Sequence, residues 1–188
     1  LVCKRRGNQN YGRTCIVASS LSGGAYPDAV RDLEREAFRG ARPIELSEAF
    51  DFLEEESGIR EWRLRANGLR VLLLANRVAP VATFAVVYHV GSRNEAVGYT
   101  GSTHLLEHLM FKGSRNVEPE QHTSIVASVG GQANAYTNED TTVFWQTVPS
   151  QFLPLVLWME GDRMATLRID QDTFVRAGAA STPVWAKP

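Results

Sequence analysis

The stretch Gly101-Ser-Thr-His104-Leu-Leu-Glu107-His108-Leu-Met-Phe-Lys-Gly113 constrains this chain more than any other. Between two glycines it sets two histidines and a glutamate among Leu105, Leu106, Leu109, Met110 and Phe111, an apolar run that predicts a helix. Residues four apart on a helix share a face, with Cβ atoms about 5–6 Å apart, so His104 and His108 can each turn a ring nitrogen toward one metal ion. Glu107 follows His104 by three positions and sits at the edge of that face. A carboxylate there can take a proton from a metal-held water, the general-base step of metal-assisted hydrolysis. The plainer alternative is a surface helix with two solvated histidines. Imidazoles on so apolar a segment are costly to bury without a ligand or partner, and that favours the metal.

The rest of the chain sets limits on the setting. At 188 residues it can build one domain with a real core but not two large ones. A hydrophobic content of 44%, a charged content of 22% and a net charge of -1 are those of a soluble globular protein, with no sign of nucleic acid or an anionic membrane as partner. Cys3 and Cys15 fit no Cys-x-x-Cys or Cys/His pattern and read as incidental thiols, neither a disulfide framework nor a zinc ribbon. The longest apolar run, Val81 to Val90, is about half the roughly 20 residues a membrane span requires. No stretch at the start has a signal-peptide layout, and the compartment is left open.

Taken in order, residues 1–27 are basic and rich in Gly, Ser and Asn, and predict a disordered lead-in whose Lys4-Arg5-Arg6 is a solvated patch. Residues 28–58 predict a helical extension. One amphipathic helix carries Val30, Leu33, Ala37 and Phe38, and a second runs from an N-cap at Ser47 to Ser57, stopped by Gly58. Strands begin at Ile59. Asn67-Gly68 predicts a hairpin with a two-residue primed turn, and Val81 to Val90 a central strand leading to the histidine helix. A helix opened by Glu118-Pro119 then runs to Val129, followed by strands at Gln132–Tyr136 and Thr142–Val148. A long helix starts from an N-cap at Ser150, and a last one is announced by Asp170.

Four blocks then stand in a definite order: Gly91-Ser-Arg-Asn-Glu95, His104 to Gly113, Gly131-Gln-Ala-Asn-Ala-Tyr-Thr-Asn-Glu-Asp140, and Trp158-Met-Glu-Gly-Asp-Arg-Met164. Together they resemble the pitrilysin/insulinase family of zinc metallopeptidases, which includes mitochondrial processing peptidases and bacterial zinc proteases. The resemblance implies an α+β domain, with a mostly antiparallel sheet packed by helices, over an incomplete peptidase domain at 59–176. It implies Zn2+ as cofactor, His104 and His108 as its ligands and Glu107 as the base. Asn134 and Ala135 would line a cleft where an extended peptide pairs through its backbone. A second homologous domain, in the same chain or a partner subunit, would close the other side.

The chain departs from that family at its end. Catalytic zinc takes three protein ligands, and the family's third is a glutamate about 75 residues past the second histidine, in an acidic helical block. Here that position is Val184, Pro183 breaks the helix, and no acidic residue follows Ala177. Asp170 or Asp172 would have to reach the metal from the wrong end of its helix. We read 177–188 as an aberrant tail, the product of a truncation or frameshift. The chain is then a zinc metalloendopeptidase fragment of weak or no activity. The alternative is a non-catalytic homologue serving as an assembly subunit, against which the intact His104, Glu107 and His108 argue. On the frameshift reading, one of the other two frames of the encoding DNA beyond codon 176 restores an acidic helical block; sequencing that finds it in neither ends the idea.

Overall fold

Val81–Tyr88 forms the central strand that its apolar, β-branched run predicts, because the alternate residues Ala82, Phe84 and Val86 can all be buried on one face. The computed structural model describes residues 15–17, 46–76 and 78–180. Its strands are β1 (Cys15–Val17), β2 (Phe50–Glu56), β3 (Ile59–Leu64), β4 (Arg70–Leu74), β5 (Val81–Tyr88), β6 (Gln132–Thr137) and β7 (Thr142–Pro149). They make one sheet in the order β2-β3-β4-β1-β5-β7-β6. Every neighbouring pair is antiparallel except β1 with β4. The helices are α1 (Leu46–Ala49), α2 (Ser102–Leu109), α3 (Gln121–Ser128), α4 (Leu153–Thr166) and α5 (Gln171–Ala180). The α+β architecture expected from the sequence is the one observed.

Several local expectations need correction. The helix expected over 47–57 is a single turn, α1, followed by the edge strand β2. Phe50 and Phe52 pair across it with Leu64 and Trp62, and Phe52 meets the Trp62 ring edge-on at 5.0 Å, so a period of two outweighs the helical spacing. The primed two-residue turn lies at Ser57-Gly58, with φ of 52° and 81°. At Asn67-Gly68 only the glycine has positive φ. A longer loop there is closed by the Leu64 N–H to Leu69 carbonyl bond, with the Asn67 side chain accepting the Leu69 N–H. Residues 15–17 form β1 inside the expected disordered lead-in. The rest of that lead-in, and the helix expected near 28–38, lie outside the described residues. Ser150 starts a 3-10 turn, and α4 begins at Leu153.

The core lies on one face of the sheet. Phe84 and Val86 of β5 and Val148 of β7 pack against Ile125 and Val126 of α3 and Leu155, Val156 and Met159 of α4. Each such side chain contributes about 1.5–3 kcal/mol by leaving water. A polar cluster is buried beside this apolar core. Arg163 and Glu160 of α4, His122 of α3 and Gln146 of β7 are all at most 5% exposed. Arg163 donates to Glu160, and its guanidinium lies 4.4 Å from the centre of the Phe144 ring and 5.4 Å from that of Phe111. Burial pushes the Glu160 carboxyl up, and Arg163 only partly offsets this. Burial, reinforced by the Arg163 charge, pushes His122 down to about 3, so it is neutral in the fold.

Two devices fix α2 relative to the sheet. The Glu95 carboxylate accepts the N–H groups of Gly101 at 2.8 Å and Thr103 at 2.9 Å, taking up donors that a helix start leaves unpaired. Burial works against its ionisation, but these bonds, with the Thr103 and Ser102 hydroxyls, hold it below the usual carboxylate range. The loop bearing Glu95 lies flat on the β6–β7 turn, with Ser92 and Arg93 N–H groups bonded to the carbonyls of Asn138 and Glu139. Gly91 is required there by contact alone, since a Cβ would stand 2.3 Å from the Asn138 oxygen. Past the far end of α2, Asp162 of α4 accepts from Ser114 Oγ and from the Asn116 N–H and Nδ2, tying the 113–116 loop down.

The acid response follows from these groups. His122 has a folded pKa below its unfolded one, so the unfolded chain binds the extra proton and stability falls as pH drops from 6.5 toward 3, by at most about 1.4 kcal/mol per pH unit. Glu95 is also depressed; its contribution is full above the unfolded value near 4.5 and is lost as pH falls through the lower folded one. Urea unfolding at pH 7 and pH 5.5 should show a marked loss for the native chain and a smaller one for His122→Gln. Equal losses would rule out His122 as the sensor. Gly91→Ala should cost about 1–3 kcal/mol by the overpacking it forces.

Candidate metal site

Helix α2 delivers the three residues singled out by the sequence to one place. His104 is exposed and His108 half-buried, with ring centres 4.7 Å apart and planes inclined by 48°. Both rings stand on one side of the helix, as their four-residue spacing requires. Glu107 is 8% exposed and turns toward the sheet, where Thr137 at the end of β6 donates its hydroxyl to Oε2. Thr137 Oγ1 lies 3.4 Å from Thr142 Oγ1, which donates to the Val90 carbonyl at 3.0 Å. The carboxylate is thereby held by the last residue of one strand and, through it, by the start of the next.

Cavities open on both sides of the helix. One of about 340 Å³ lies beside Glu107, lined by Tyr88, His89, Val90, Leu106, Met110 and Phe144 among others. The other, about 520 Å³, separates α2 from α5 and is lined by Tyr99, Leu105, Leu106, Leu109, Ile169 and Phe174. Leu106 belongs to both and is 43% exposed. Each cavity is overwhelmingly apolar.

Two imidazoles at this spacing, beside a carboxylate with limited solvent contact, suit zinc in kind and in placement. They do not suffice in number. Among the described residues no three His, Cys, Asp or Glu side chains come together to hold a metal. Asp170 does not serve as a donor from its place before α5: its Oδ1 accepts the Thr173 N–H at 2.8 Å and starts that helix. Position 184 lies outside the described residues.

The two cleft residues separate. Strand β6 is an edge strand, with no neighbour on its outer side among the described residues. Successive residues point to opposite faces, so Ala135 lies with Phe144 on the helix side, while Asn134 lies with Trp145 on the other. Asn134 is exposed, and its Oδ1 accepts the Ala135 N–H at 2.8 Å, a bond within its own strand. Three supporting residues carried no role in the sequence reading: Glu95, Thr137 and Asp162. Each belongs to one of the four blocks, and block membership was the only signal that could have found them.

Comparison with known proteins accords with this geometry. Residues 70–177 match the model of the insulinase family, peptidase family M16. An uncharacterised zinc protease of Streptomyces coelicolor is 36% identical over 113 residues, 60% of this chain and 25% of that protein. The zinc protease PqqE of Helicobacter pylori is 36% identical over 111 residues, 58% of this chain and 25% of its own length. The chain thus spans about a quarter of the length of these relatives. Among solved structures, pitrilysin superposes with a TM-score of 0.64 at 26% identity, covering 70% of this chain and 15% of that one. A match over more than half of the chain, on the residues that build α2 and its supports, places this protein in the insulinase family of zinc peptidases.

Proposed function

We propose that the chain is the zinc-binding part of a metalloendopeptidase, acting on extended peptides, and that His104 and His108 are its metal ligands. The observation that carries this reading is the paired imidazoles on one side of α2, with Glu107 beside them under the restraint of Thr137. Bound zinc would supply Lewis acidity toward a peptide carbonyl and toward water. The chain's own residues do the rest. Glu107 is fixed by one oxygen, leaving the other for the proton of the attacking water, and the apolar cavity beside it excludes bulk solvent around a substrate side chain. The outer edge of β6, at Asn134 and Ala135, offers backbone groups to an extended peptide. Asn134 Oδ1 already holds the Ala135 N–H, so the side chain gives up that bond when a peptide carbonyl takes the N–H.

On this reading residues 59–176 are an incomplete peptidase domain and 177–188 a tail that does not replace its third ligand. A second homologous domain, in the same chain or a separate subunit, is the partner that closes the cleft. No helix among the described residues is long and apolar enough to cross a membrane. The reading of the chain as a non-catalytic assembly subunit has one observation in its favour, the shortage of a third donor among the described residues.

Zinc titration separates the two. His104→Ala and His108→Ala should each weaken zinc binding by at least about tenfold, while Glu107→Gln leaves it within about threefold. Replacing residues 177–188 by an acidic helix should tighten binding; no stoichiometric zinc even then would favour the assembly subunit. Paired with a second domain, that repaired chain should cleave peptides, and Glu107→Gln should reduce cleavage by about 100-fold or more without loss of zinc. Unchanged cleavage would remove Glu107 from the role of base.

A further inference from the structure

The polar side chains buried beside the apolar core have no part in the peptidase chemistry. Arg163 and Glu160 come from α4, His122 from α3 and Gln146 from β7, and none is more than 5% exposed. Arg163 Nη2 donates to Glu160 Oε2, and Gln146 Nε2 lies 3.5 Å from His122 Nε2. Five of their atoms have no hydrogen-bond partner in the protein: Arg163 Nε and Nη1, Glu160 Oε1, Gln146 Oε1 and His122 Nδ1. The group is compact. The Arg163 guanidinium lies 4.4 Å from the centre of the Phe144 ring, two residues before Gln146 on the same face of β7. It lies 5.4 Å from the centre of the Phe111 ring, which meets His122 edge-on at 6.1 Å. Buried polar atoms in folded proteins are almost always paired, so five together point to a ligand.

The chemistry of the five atoms identifies that ligand. Both arginine nitrogens donate, and the Glu160 oxygen accepts. A neutral His122 that takes the Gln146 amide proton on Nε2 donates from Nδ1, and Gln146 Oε1 accepts. Turning the amide over exchanges those two roles, so that His122 Nδ1 accepts and the amide nitrogen donates. Either way three donors and two acceptors are left. An anion would have nothing to offer the Glu160 oxygen, and a metal cation would face the guanidinium. Water both donates and accepts. We propose that this cluster is a binding site for internal water, shared by the Arg163–Glu160 pair and the Gln146–His122 pair. One water makes at most about four hydrogen bonds, so five atoms call for more than one molecule. The waters join α3, α4 and β7 behind the Phe111 and Phe144 rings, and they solvate an ion pair that bulk solvent does not reach.

The whole chain, without metal or a second domain, is enough to test this. Its crystal structure at atomic resolution should show ordered waters within about 3.2 Å of most of the five atoms. In solution, the Arg163 Nε and Gln146 amide protons should show cross-relaxation with water of the sign that marks residence beyond nanoseconds. Arg163→Met combined with Glu160→Leu removes three of the five atoms and leaves neither charge unpaired. In that variant the cross-relaxation at Gln146 should fall by about twofold or more, because its water has lost the partners it shares. A dry cluster in which Arg163 turns to hold both Glu160 oxygens directly overturns the proposal. So does an anion there, seen as anomalous scattering when bromide replaces chloride. Unchanged cross-relaxation at Gln146 in the folded double variant overturns the shared site. If that variant does not fold, the crystal structure and the cross-relaxation of the native chain decide by themselves.

Discussion

The placement of α2 depends on a carboxylate seven residues before its first residue. Glu95 takes the N–H groups of Gly101 and Thr103, and no side chain within α2 caps its start. Since Glu95 rides on a loop pressed against the β6–β7 turn, the same contact sets the distance from α2 to the strand edge. Thr137 can then meet Glu107 across that gap. The spacing of α2 from the sheet is thus fixed by a few directed hydrogen bonds rather than by the long side chains of an apolar interface.

Beneath the helix the structure accepts a cost. Arg163 is nearly solvent-free, with one ionic partner and two aromatic faces around it. A buried ion pair of this kind is seldom worth more than an apolar replacement, but removing one partner costs about 3–5 kcal/mol. Its effect is geometric. The guanidinium presses on Phe144, which belongs to the wall of the cavity beside Glu107, and on Phe111, which follows α2. Through these rings α4 braces the floor of the site, and through Asp162 it holds the loop beyond α2.

Much of this was legible in the sequence wherever one physical signal dominated. The apolar run at 81–88 could only be an inner strand, and the histidine spacing could only act together on a helix. Legibility failed where two signals competed. Phe50, Phe52 and Leu53 among glutamates fit a helical face as well as a strand, and pairing with Leu64 and Trp62 decided it. Asn67-Gly68 has the composition of a primed turn, yet the primed turn formed at Ser57-Gly58, because the register of β2 against β3 demands it there. The supporting roles of Glu95, Thr137 and Asp162 could not be read at all. They join residues 6 to 48 positions apart, and neither periodicity nor propensity reaches across such separations.

The two edges of the sheet differ in a way that bears on solubility. Strand β2 carries Asp51 and then Glu54, Glu55 and Glu56, with a bulge between Phe52 and Glu54. Like charges and an irregular ladder discourage another strand from adding at that side. Strand β6, Gln-Ala-Asn-Ala-Tyr-Thr, has no charge and a regular register. A stray extended segment is therefore turned away at one rim and admitted at the other. Among the described strands one rim is open to an added strand and the other is not, so an edge-to-edge chain of sheets has nowhere to continue.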